Sequence, residues 1–404
     1  MSFMTHSSNL SQLSKSRAAR TMVLHLSPDL DSSDPGRETV DLAVLTQRSG
    51  WRAMIASSGG RLVTEAERAA VRHKKMPIDG RGAFSGWRTR LHLEATLQAE
   101  RPALIHAHGI DTLPFALALS RSRGIPLVAD LTQPLPAHNR TKKLLEMLKA
   151  SRGMLRVPSE FMGKHLHDTF GVEEDRLCLV PPGVDLQHYS VGFISPERLQ
   201  KLSHLWRLPE QASIILAPMP LAAEMGQKIL LDVMREMRGE NVYAVLVGND
   251  RHAPGLRAEI EGLVGSYGLN GKVIMPEDCP DLPAACWLSS VIIASNLAPR
   301  GQNLELLAAQ AIGRPVIVTD VGANREMAQS GETAWVVAAH DTQAMAKALR
   351  EAIALNTDQR LSLAERTHNF VAENFPQHAW FNGMMELYES LLYPSRQTAR
   401  ANVA

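Results

Sequence analysis

Short apolar runs rich in β-branched residues alternate with longer amphipathic stretches along most of this chain, and this alternation constrains the fold more than any other feature. In a chain of 404 residues, the pattern is typical of β-α-β units built on a parallel sheet. It occurs in two series, separated by a polar, proline-punctuated segment over residues 185–209. The sequence therefore predicts an α/β protein with two open parallel sheets in tandem.

The alternation also places the individual elements. In the first series, strands are predicted at residues 22–26, 52–56, 104–106, 126–129, 154–157 and 177–180, with helices at 38–49, 87–100, 114–123, 141–150 and 160–170. In the second, strands are predicted at 213–217, 243–247, 272–275, 291–294, 315–319 and 334–337, with helices at 226–237, 254–267, 304–312 and 342–354. A last predicted helix, residues 378–392, carries an apolar stripe, so one of its faces must be buried.

The same pattern sets the expected domain boundaries. Residues 1–20 are rich in serine and basic residues but lack the apolar core of a secretory signal, so we expect a disordered leader. The expected parts that follow are a Rossmann-like domain (21–190), a linker (191–210), a second Rossmann-like domain (211–375), a crossover helix (376–393) and a flexible tail (394–404). In proteins with two such domains, small ligands bind between the carboxyl edges of the sheets.

Composition and charge exclude several classes of protein. Lys and Arg (43) almost balance Asp and Glu (42), so the chain has no long-range field that would gather nucleic acid. No apolar run reaches the roughly 18 to 20 residues of a membrane span. The three cysteines lack CxxC spacing, which argues against a disulfide framework and a thiolate zinc site. We expect a cytoplasmic protein without a nucleic-acid partner or a transmembrane segment.

Two histidines stand out at the end of a predicted strand. His106 and His108 are two residues apart, so both imidazoles point to the same face of the sheet. This spacing suits a metal ion, but no third ligand follows nearby, and we therefore expect no metal. Two alternatives stay open, a pair that lines an acceptor site and a pair of hydrogen-bonded structural histidines.

Short motifs spread over both halves of the chain carry a further signal. In the amino half they are PGRE at residues 35–38, RP at 101–102, IHAH at 105–108, PSEF at 158–161, FGV at 170–172 and PPGVD at 181–185. In the carboxyl half they are VGN at 247–249, AxAxGRPV at 309–316 and TDVG at 319–322, followed by Glu326. Together these motifs resemble those of the retaining family 4 glycosyltransferases.

This resemblance implies the GT-B fold. Such proteins have two Rossmann-like domains whose parallel sheets face each other across a cleft, with an acceptor-type first domain and a donor-type second domain. The resemblance also implies that the C-terminal helix crosses back to the first domain.

The resemblance further implies a donor site whose family residues are replaced here. In the family, a loop after the first strand of the second domain places two cations on the nucleotide diphosphate, and two glutamates contact the donor sugar and the ribose. In this chain Pro220 and Met225 stand at the cation positions. Arg300 and Ala308 stand at the glutamate positions. The catalytic residues therefore stay unassigned at the level of sequence.

Other residues near these positions are candidates for binding substrate. Three cations could replace the missing ones on the phosphates, namely Lys228, Arg300 and Arg314, and the alternative for Lys228 and Arg300 is that they are solvated surface charges. The motifs add four further candidates besides His106, namely Gly36, His108, Gly248 and Glu326.

Two functions follow from the resemblance. The first is hexosyl transfer from a nucleotide sugar to a lipid-linked or polysaccharide acceptor, with no cofactor beyond the donor, in the cytoplasm or at the inner face of the membrane. The second is a catalytically inactive GT-B protein that binds or scaffolds a partner glycosyltransferase. The replaced donor residues keep the second alternative open.

Overall fold

The computed structural model describes residues 21–31, 34–78, 94–95, 98–151, 153–250 and 253–394. The predicted leader, most of the predicted helix at 87–100 and nearly all of the predicted tail lie outside these residues. Contacts divide the chain into two units, which we call the amino-terminal unit (residues 1–180 and 381–404) and the carboxyl-terminal unit (residues 181–380).

The amino-terminal unit contains a parallel sheet of seven strands in the order β3-β2-β1-β4-β5-β6-β7. Its strands are β1 (Met22–Leu26), β2 (Arg52–Ser57), β3 (Arg72–Lys75), β4 (Leu104–His108), β5 (Leu127–Asp130), β6 (Met154–Val157) and β7 (Leu177–Leu179). Its helices are α1 (Asp34–Arg48), α2 (Val63–Arg68), α3 (Leu113–Arg123), α4 (Asn139–Ala150) and α5 (Glu160–Phe170). The central strands are buried along their whole length, as expected for a parallel sheet with helices on both faces.

The carboxyl-terminal unit contains a parallel sheet of six strands in the order β10-β9-β8-β11-β12-β13. Its strands are β8 (Ser213–Ala217), β9 (Val242–Leu246), β10 (Val273–Ile274), β11 (Val291–Ala294), β12 (Val316–Thr319) and β13 (Trp335–Val337). Its helices are α6 (Pro196–Trp206), α7 (Gln227–Glu236), α8 (Leu256–Ser266), α9 (Leu282–Leu288), α10 (Leu304–Ala311), α11 (Asn324–Met327), α12 (Thr342–Ala354) and α13 (Thr357–Asn374).

Each sheet reverses its strand order once, between β1 and β4 in one unit and between β8 and β11 in the other. In open α/β sheets, ligands bind outside the carboxyl ends of the strands at such a switch point. The prediction of two tandem parallel sheets is confirmed. The switch points are the two places where a functional site is expected.

The last helix, α14 (Gln377–Leu392), begins in the carboxyl-terminal unit and enters the amino-terminal unit at Phe381. Within the amino-terminal unit its Met384 and Tyr388 side chains are fully buried. The prediction that this helix crosses back to the first domain is confirmed. Within the part of the chain that the structure describes, no helix combines the length and apolarity needed to cross a bilayer.

The segment predicted to be a linker contains helix α6. Ser195 caps this helix by accepting a hydrogen bond from the Arg198 amide, and Pro196 occupies its first turn. Leu202 and Trp206 are buried, and the Arg198 guanidinium donates to both carboxylate oxygens of Asp281 at 2.7 Å. The helix is therefore anchored to the carboxyl-terminal unit.

Candidate functional site

Four loops meet at the carboxyl edge of the six-stranded sheet, and we call them the carboxyl-edge loops (residues 218–226, 247–249, 295–303 and 320–323). They follow β8, β9, β11 and β12. Backbone hydrogen bonds join them, from Leu221 to the Asn249 carbonyl at 3.2 Å and from Leu297 to the Glu224 carbonyl at 2.6 Å. The loops therefore form one connected surface at the switch point of this unit.

Two glycines permit this close approach of the loops. Gly226 has a φ of +72°, and a Cβ there would overlap the carbonyl oxygen of Ser295. Gly248 has a φ of +142°, and a Cβ there would lie 2.8 Å from the Met219 carbonyl oxygen. Any other residue would strain the backbone and push neighbouring loops apart. The candidate residue Gly248 thus belongs to the carboxyl-edge loops as a packing element.

A network of buried hydrogen bonds joins residues within and next to these loops. Asn324 donates to the Asn296 side-chain oxygen at 3.2 Å and to the Thr319 carbonyl at 2.9 Å. Thr319 donates in turn to the Asn296 carbonyl at 2.5 Å. These side chains are at most 1% exposed. Buried polar networks with satisfied partners rigidify their surroundings, so the loops are held in one arrangement.

Of the three candidate cations, the structure places only Arg300 in the carboxyl-edge loops. Its side chain is buried, and its NH1 nitrogen lies 3.9 Å from the Glu305 carboxylate. The Arg300 carbonyl also accepts a hydrogen bond from the Ala323 amide at 2.9 Å. Arg300 is therefore fixed between two of the loops, beside a carboxylate.

The other two candidate cations are engaged elsewhere. Lys228 is exposed and pairs with Glu259 on α8 at 2.5 Å. Arg314 stacks on the Trp287 ring at 4.0 Å from its centroid and donates to the Trp287 carbonyl. Burial lowers the pKa of Arg314 to about 10. Both side chains therefore have partners within the protein.

The positions that the family gives to its donor residues differ in exposure. Pro220 is exposed and Met225 is half-buried, so both stand at the surface of the carboxyl-edge loops. Ala308 is 2% exposed inside α10. One turn before it, Glu305 has a carboxylate oxygen that accepts no hydrogen bond. The family motifs did not single out Glu305, because it lies at neither of the two positions where the family has its glutamates.

A second candidate site lies at the switch point of the amino-terminal unit, where the register of neighbouring strands places polar side chains side by side. His25 of β1 stands opposite His106 of β4. His108 stands opposite Asp130 of β5, and Asp130 opposite Arg156 of β6. We call these five residues, together with Glu38 and Tyr388, the buried polar row. Of these seven residues, the sequence analysis brought out the two histidines of β4 and, within the PGRE motif, Glu38.

Hydrogen bonds and ion pairs connect this row. His25 Nδ1 and His108 Nε2 share a hydrogen bond of 3.1 Å, and His106 Nδ1 lies 2.7 Å from the Tyr388 hydroxyl. The Arg156 guanidinium is fully buried between Asp130 at 3.0 Å and Glu38 at 2.9 Å. The histidines of the predicted pair therefore have structural partners.

Burial sets the charge state of this row. It lowers the pKa of His25 to about 3 and holds the pKa values of His106 and His108 well below their ordinary value. It raises the pKa of Asp130 to about 7 against the opposing effect of Arg156. The three imidazoles are therefore neutral at neutral pH.

Two further candidates lie on helices next to the two clusters, Gly36 two residues before Glu38 and Glu326 directly after the carboxyl-edge loops. Gly36 lies in the first turn of α1, where a Cβ would overlap the Asp31 carbonyl oxygen. Glu326 is exposed on the four-residue helix α11.

Two members of the buried polar row that the sequence analysis missed can be recognised from the sequence of their strands. His25 and Arg156 are single polar residues inside otherwise apolar strands, MVLHL and MLRV.

Two family models match most of the chain. The model described as "Glycosyltransferase Family 4" matches residues 36–188, and the model described as "Glycosyl transferases group 1" matches residues 213–354. The first covers most of the seven-stranded sheet, and the second covers the six-stranded sheet with the carboxyl-edge loops.

Individual proteins agree with this assignment. A D-inositol 3-phosphate glycosyltransferase of Rhodococcus erythropolis is 26% identical over 230 residues, which are 56% of this chain and 51% of that protein. A second, from Rhodococcus opacus, is 28% identical over 227 residues, 54% of this chain and 49% of that protein. The chain thus spans about half the length of the curated relatives that it matches.

Solved structures share the fold over almost the whole chain. A glycosyltransferase of Rickettsia africae superposes with a TM-score of 0.78 at 20% identity and covers 92% of this chain and 99% of its own. HepE of Anabaena superposes with a TM-score of 0.81 at 18% identity and covers 91% of this chain and 99% of its own. The chain therefore belongs to the group 1, family 4 glycosyltransferases, and its two units are the two Rossmann-like domains of the GT-B fold.

Proposed function

We propose that this protein transfers a hexosyl unit from a nucleotide sugar bound at the carboxyl-edge loops. The observation that carries the proposal is the joining of four loops at the switch point, closed by Gly226 and Gly248 and supported by a buried amide network. A rigid polar surface at this position is where open α/β sheets hold nucleotides. HepE of Anabaena, which has the same fold, was solved with UDP and glucose and with UDP-glucose, and this supports a donor of that class.

Transfer from a nucleotide sugar builds negative charge on the leaving diphosphate. Preorganised cations and helix N-termini stabilise such charge best when water is excluded. In the carboxyl-edge loops, we assign this role to Arg300 and to the first amides of α7, which begins directly after Gly226. Arg300 thus replaces the cations that the family places at positions 220 and 225.

A carboxylate for the donor comes from Glu305 in our proposal. It lies in the first turn of α10, one turn before Ala308. It faces Arg300 at 3.9 Å, and one of its oxygens accepts no hydrogen bond. This oxygen is buried and is the one that faces Arg300, so a sugar or ribose hydroxyl that reached it would donate to it beside the ion pair. We therefore expect Glu305 to act in place of the family glutamates at positions 300 and 308.

The acceptor is a hydroxyl compound, and we propose a lipid-linked or polysaccharide acceptor, used in the cytoplasm at the inner face of the membrane. The free state of all three cysteines supports a reducing compartment. The names of the Rhodococcus relatives add D-inositol 3-phosphate to the compounds worth testing.

The second candidate function is donor binding or scaffolding without turnover. Specific observations favour it, since Pro220 and Met225 leave the exposed loop positions without charge and Ala308 presents no carboxylate. Losing one member of a close, desolvated charge pair costs about 2 to 5 kcal/mol, and two such losses would nearly abolish catalysis.

Turnover separates these two candidates. The full chain would be incubated with UDP-, GDP- and ADP-sugars and an acceptor panel, and released nucleoside diphosphate would be measured. Transfer at about 1 per second or faster with one donor supports the transferase. Donor binding without release of nucleoside diphosphate supports the inactive alternative. In either case Glu305→Gln should weaken the response, and Glu259→Gln, which affects only the surface pair with Lys228, serves as the matched control.

A further inference from the structure

The amino-terminal unit contains three histidines whose nitrogen atoms converge. One ligand atom from each of His25, His106 and His108 lies within 4.8 Å of the others, and all three side chains are buried. The register of β1 on β4 places His25 beside His106, and His108 follows two residues later on the same face. Nothing in the donor chemistry proposed above uses this cluster.

We propose that His25, His106 and His108 bind a transition metal ion of the Zn²⁺ class in the interior of the amino-terminal unit. Three imidazoles without a thiolate suit zinc, and a zinc held by three protein ligands needs a fourth, such as a water or hydroxide, to complete its tetrahedron. The spacing of one pair of nitrogens already fits, while the three atoms together lie within 4.8 Å and would draw closer around an ion. His25 Nδ1 and His108 Nε2 are 3.1 Å apart, and two nitrogens bound tetrahedrally at about 2.0 to 2.1 Å from one zinc are about 3.3 Å apart.

The contacts of the other ring nitrogens of His106 and His108 support this assignment. A metal-bound histidine usually directs its other ring nitrogen to an oxygen, which fixes the ring and its tautomer. His106 Nδ1 lies at hydrogen-bond distance, 2.7 Å, from the Tyr388 hydroxyl, whereas His108 Nδ1 faces an Asp130 carboxylate oxygen at 3.9 Å, which is electrostatically favourable but too long for a hydrogen bond. With a proton on Nδ1 in each ring, both Nε2 atoms present a lone pair to the centre of the cluster.

A second observation comes from unsatisfied atoms. Nε2 of His106 and Nε2 of His25 are buried and have no hydrogen-bond partner, and a metal held by His25 Nδ1 would satisfy the first and leave the second to a water. A buried polar atom without a partner is destabilising unless water or an ion completes it. A metal at the cluster would bind His106 Nε2 directly and replace the His25–His108 hydrogen bond with two coordination bonds.

The test is metal content after refolding. The full chain, free of any added histidine tag, would be unfolded with a chelator, refolded with or without Zn²⁺, and freed of excess metal before elemental analysis. We expect one zinc per chain in the wild type and a loss of zinc in His25→Gln, His106→Gln and His108→Gln. His204→Gln, at an exposed position on α6, is the matched control and should keep its zinc.

The thermal midpoint with and without Zn²⁺ is a second measurement, which keeps the proposal testable if the histidine variants fold poorly. Zn²⁺ should raise the thermal midpoint of purified wild-type protein by about 5 °C or more at a hundredfold excess over Kd. Tyr388→Phe keeps all three ligand nitrogens but removes the hydroxyl behind His106, so its zinc affinity should fall about 10- to 100-fold while stoichiometry at saturation stays at one. Wild-type protein that refolds without retaining zinc and shows no thermal shift would overturn the proposal, and a buried water would then complete the cluster.

Discussion

The Tyr388 hydroxyl lies 2.7 Å from Nδ1 of His106, although 282 residues separate the two in sequence. This hydrogen bond joins the last helix to the middle of β4, a strand at the switch point of the amino-terminal sheet. Both side chains are fully buried, so neither partner can turn to water if the other is removed. The contact gives α14 a fixed rotation on the sheet, which apolar packing alone would leave less specific.

Replacing Tyr388 by phenylalanine should therefore destabilise the protein by about 1 to 2 kcal/mol, because His106 Nδ1 loses its partner in a buried environment. Urea unfolding in the presence of a chelator measures this loss without any contribution from bound metal. The control is Tyr243→Phe at a half-buried position on β9, which should unfold like the wild type. An unchanged midpoint for Tyr388→Phe would show that the hydrogen bond contributes nothing to stability.

Arg156→Met should lower the free energy of unfolding far more than the same substitution of a surface arginine. Removing the Arg156 guanidinium leaves Asp130 and Glu38 buried without a counter-charge, which typically costs about 3 to 5 kcal/mol. The matched variant is Arg325→Met, which breaks the exposed pair with Asp320. Unfolding curves of the two variants should differ strongly, with Arg325→Met close to the wild type. Equal stability of both variants would contradict a stabilising role for the buried ion pairs.

The Arg198–Asp281 pair should make stability depend on pH in the acid range. Burial alone would raise the pKa of Asp281, but hydrogen bonds from Arg198 and the Ala284 amide outweigh it and hold that pKa below its ordinary value. A carboxyl whose folded pKa is depressed stabilises the protein above the unfolded pKa of about 4, and this contribution is lost as pH falls through the folded pKa.

Asp281→Asn should thus cost about 1 kcal/mol at pH 7, because asparagine still caps α9 but no longer carries the charge. The difference between variant and wild type should shrink as pH falls below about 4. Guanidinium unfolding at pH 7, 5 and 3 measures it. A gap that stays constant over this range would show that the charge of Asp281 is not what Arg198 stabilises.

Adding cations to the carboxyl-edge loops should strengthen nucleotide binding. Pro220 and Met225 reach the surface of these loops, so Pro220→Arg with Met225→Lys places two charges where the family has them. We expect nucleoside diphosphate affinity to rise at least about tenfold in the double variant, with smaller effects of each single change because such groups act together. Calorimetric titration measures this. Lys228→Met, which only breaks the pair with Glu259, should leave affinity unchanged.

The central strands could be predicted because parallel strands buried on both faces are short apolar runs, such as MVLHL and VIIA. Strand β3 was missed because its sequence, RHKK, is charged throughout, as an edge strand permits. Helix α6 was missed because Ser195 and Pro196 look like loop punctuation. In the structure they are the cap and first turn of that helix.

The residues of the candidate sites also fall into those that the sequence predicted and those that it did not. Family motifs brought out the residues that form local turns, Gly248 among them, and the two histidines of β4. Their pairing with His25 and Tyr388 could not be predicted, because these residues come from elements 81 and 282 residues away from His106. Such pairs depend on strand register and on the docking of the last helix, which no local pattern encodes. Glu305 was not singled out for a different reason, since it lies outside the family's glutamate spacing, and only the fold shows that it faces Arg300.

The central claim is that the carboxyl-edge loops hold a nucleotide sugar through Arg300. The most direct measurement is isothermal titration of the wild type and of Arg300→Ala against UDP, GDP and ADP and their sugar conjugates. We predict micromolar binding of one nucleotide class by the wild type, and affinity at least about tenfold weaker in Arg300→Ala, since a charge-assisted bond to phosphate is lost. Absence of binding across the whole panel, or equal binding by both proteins, would contradict this account.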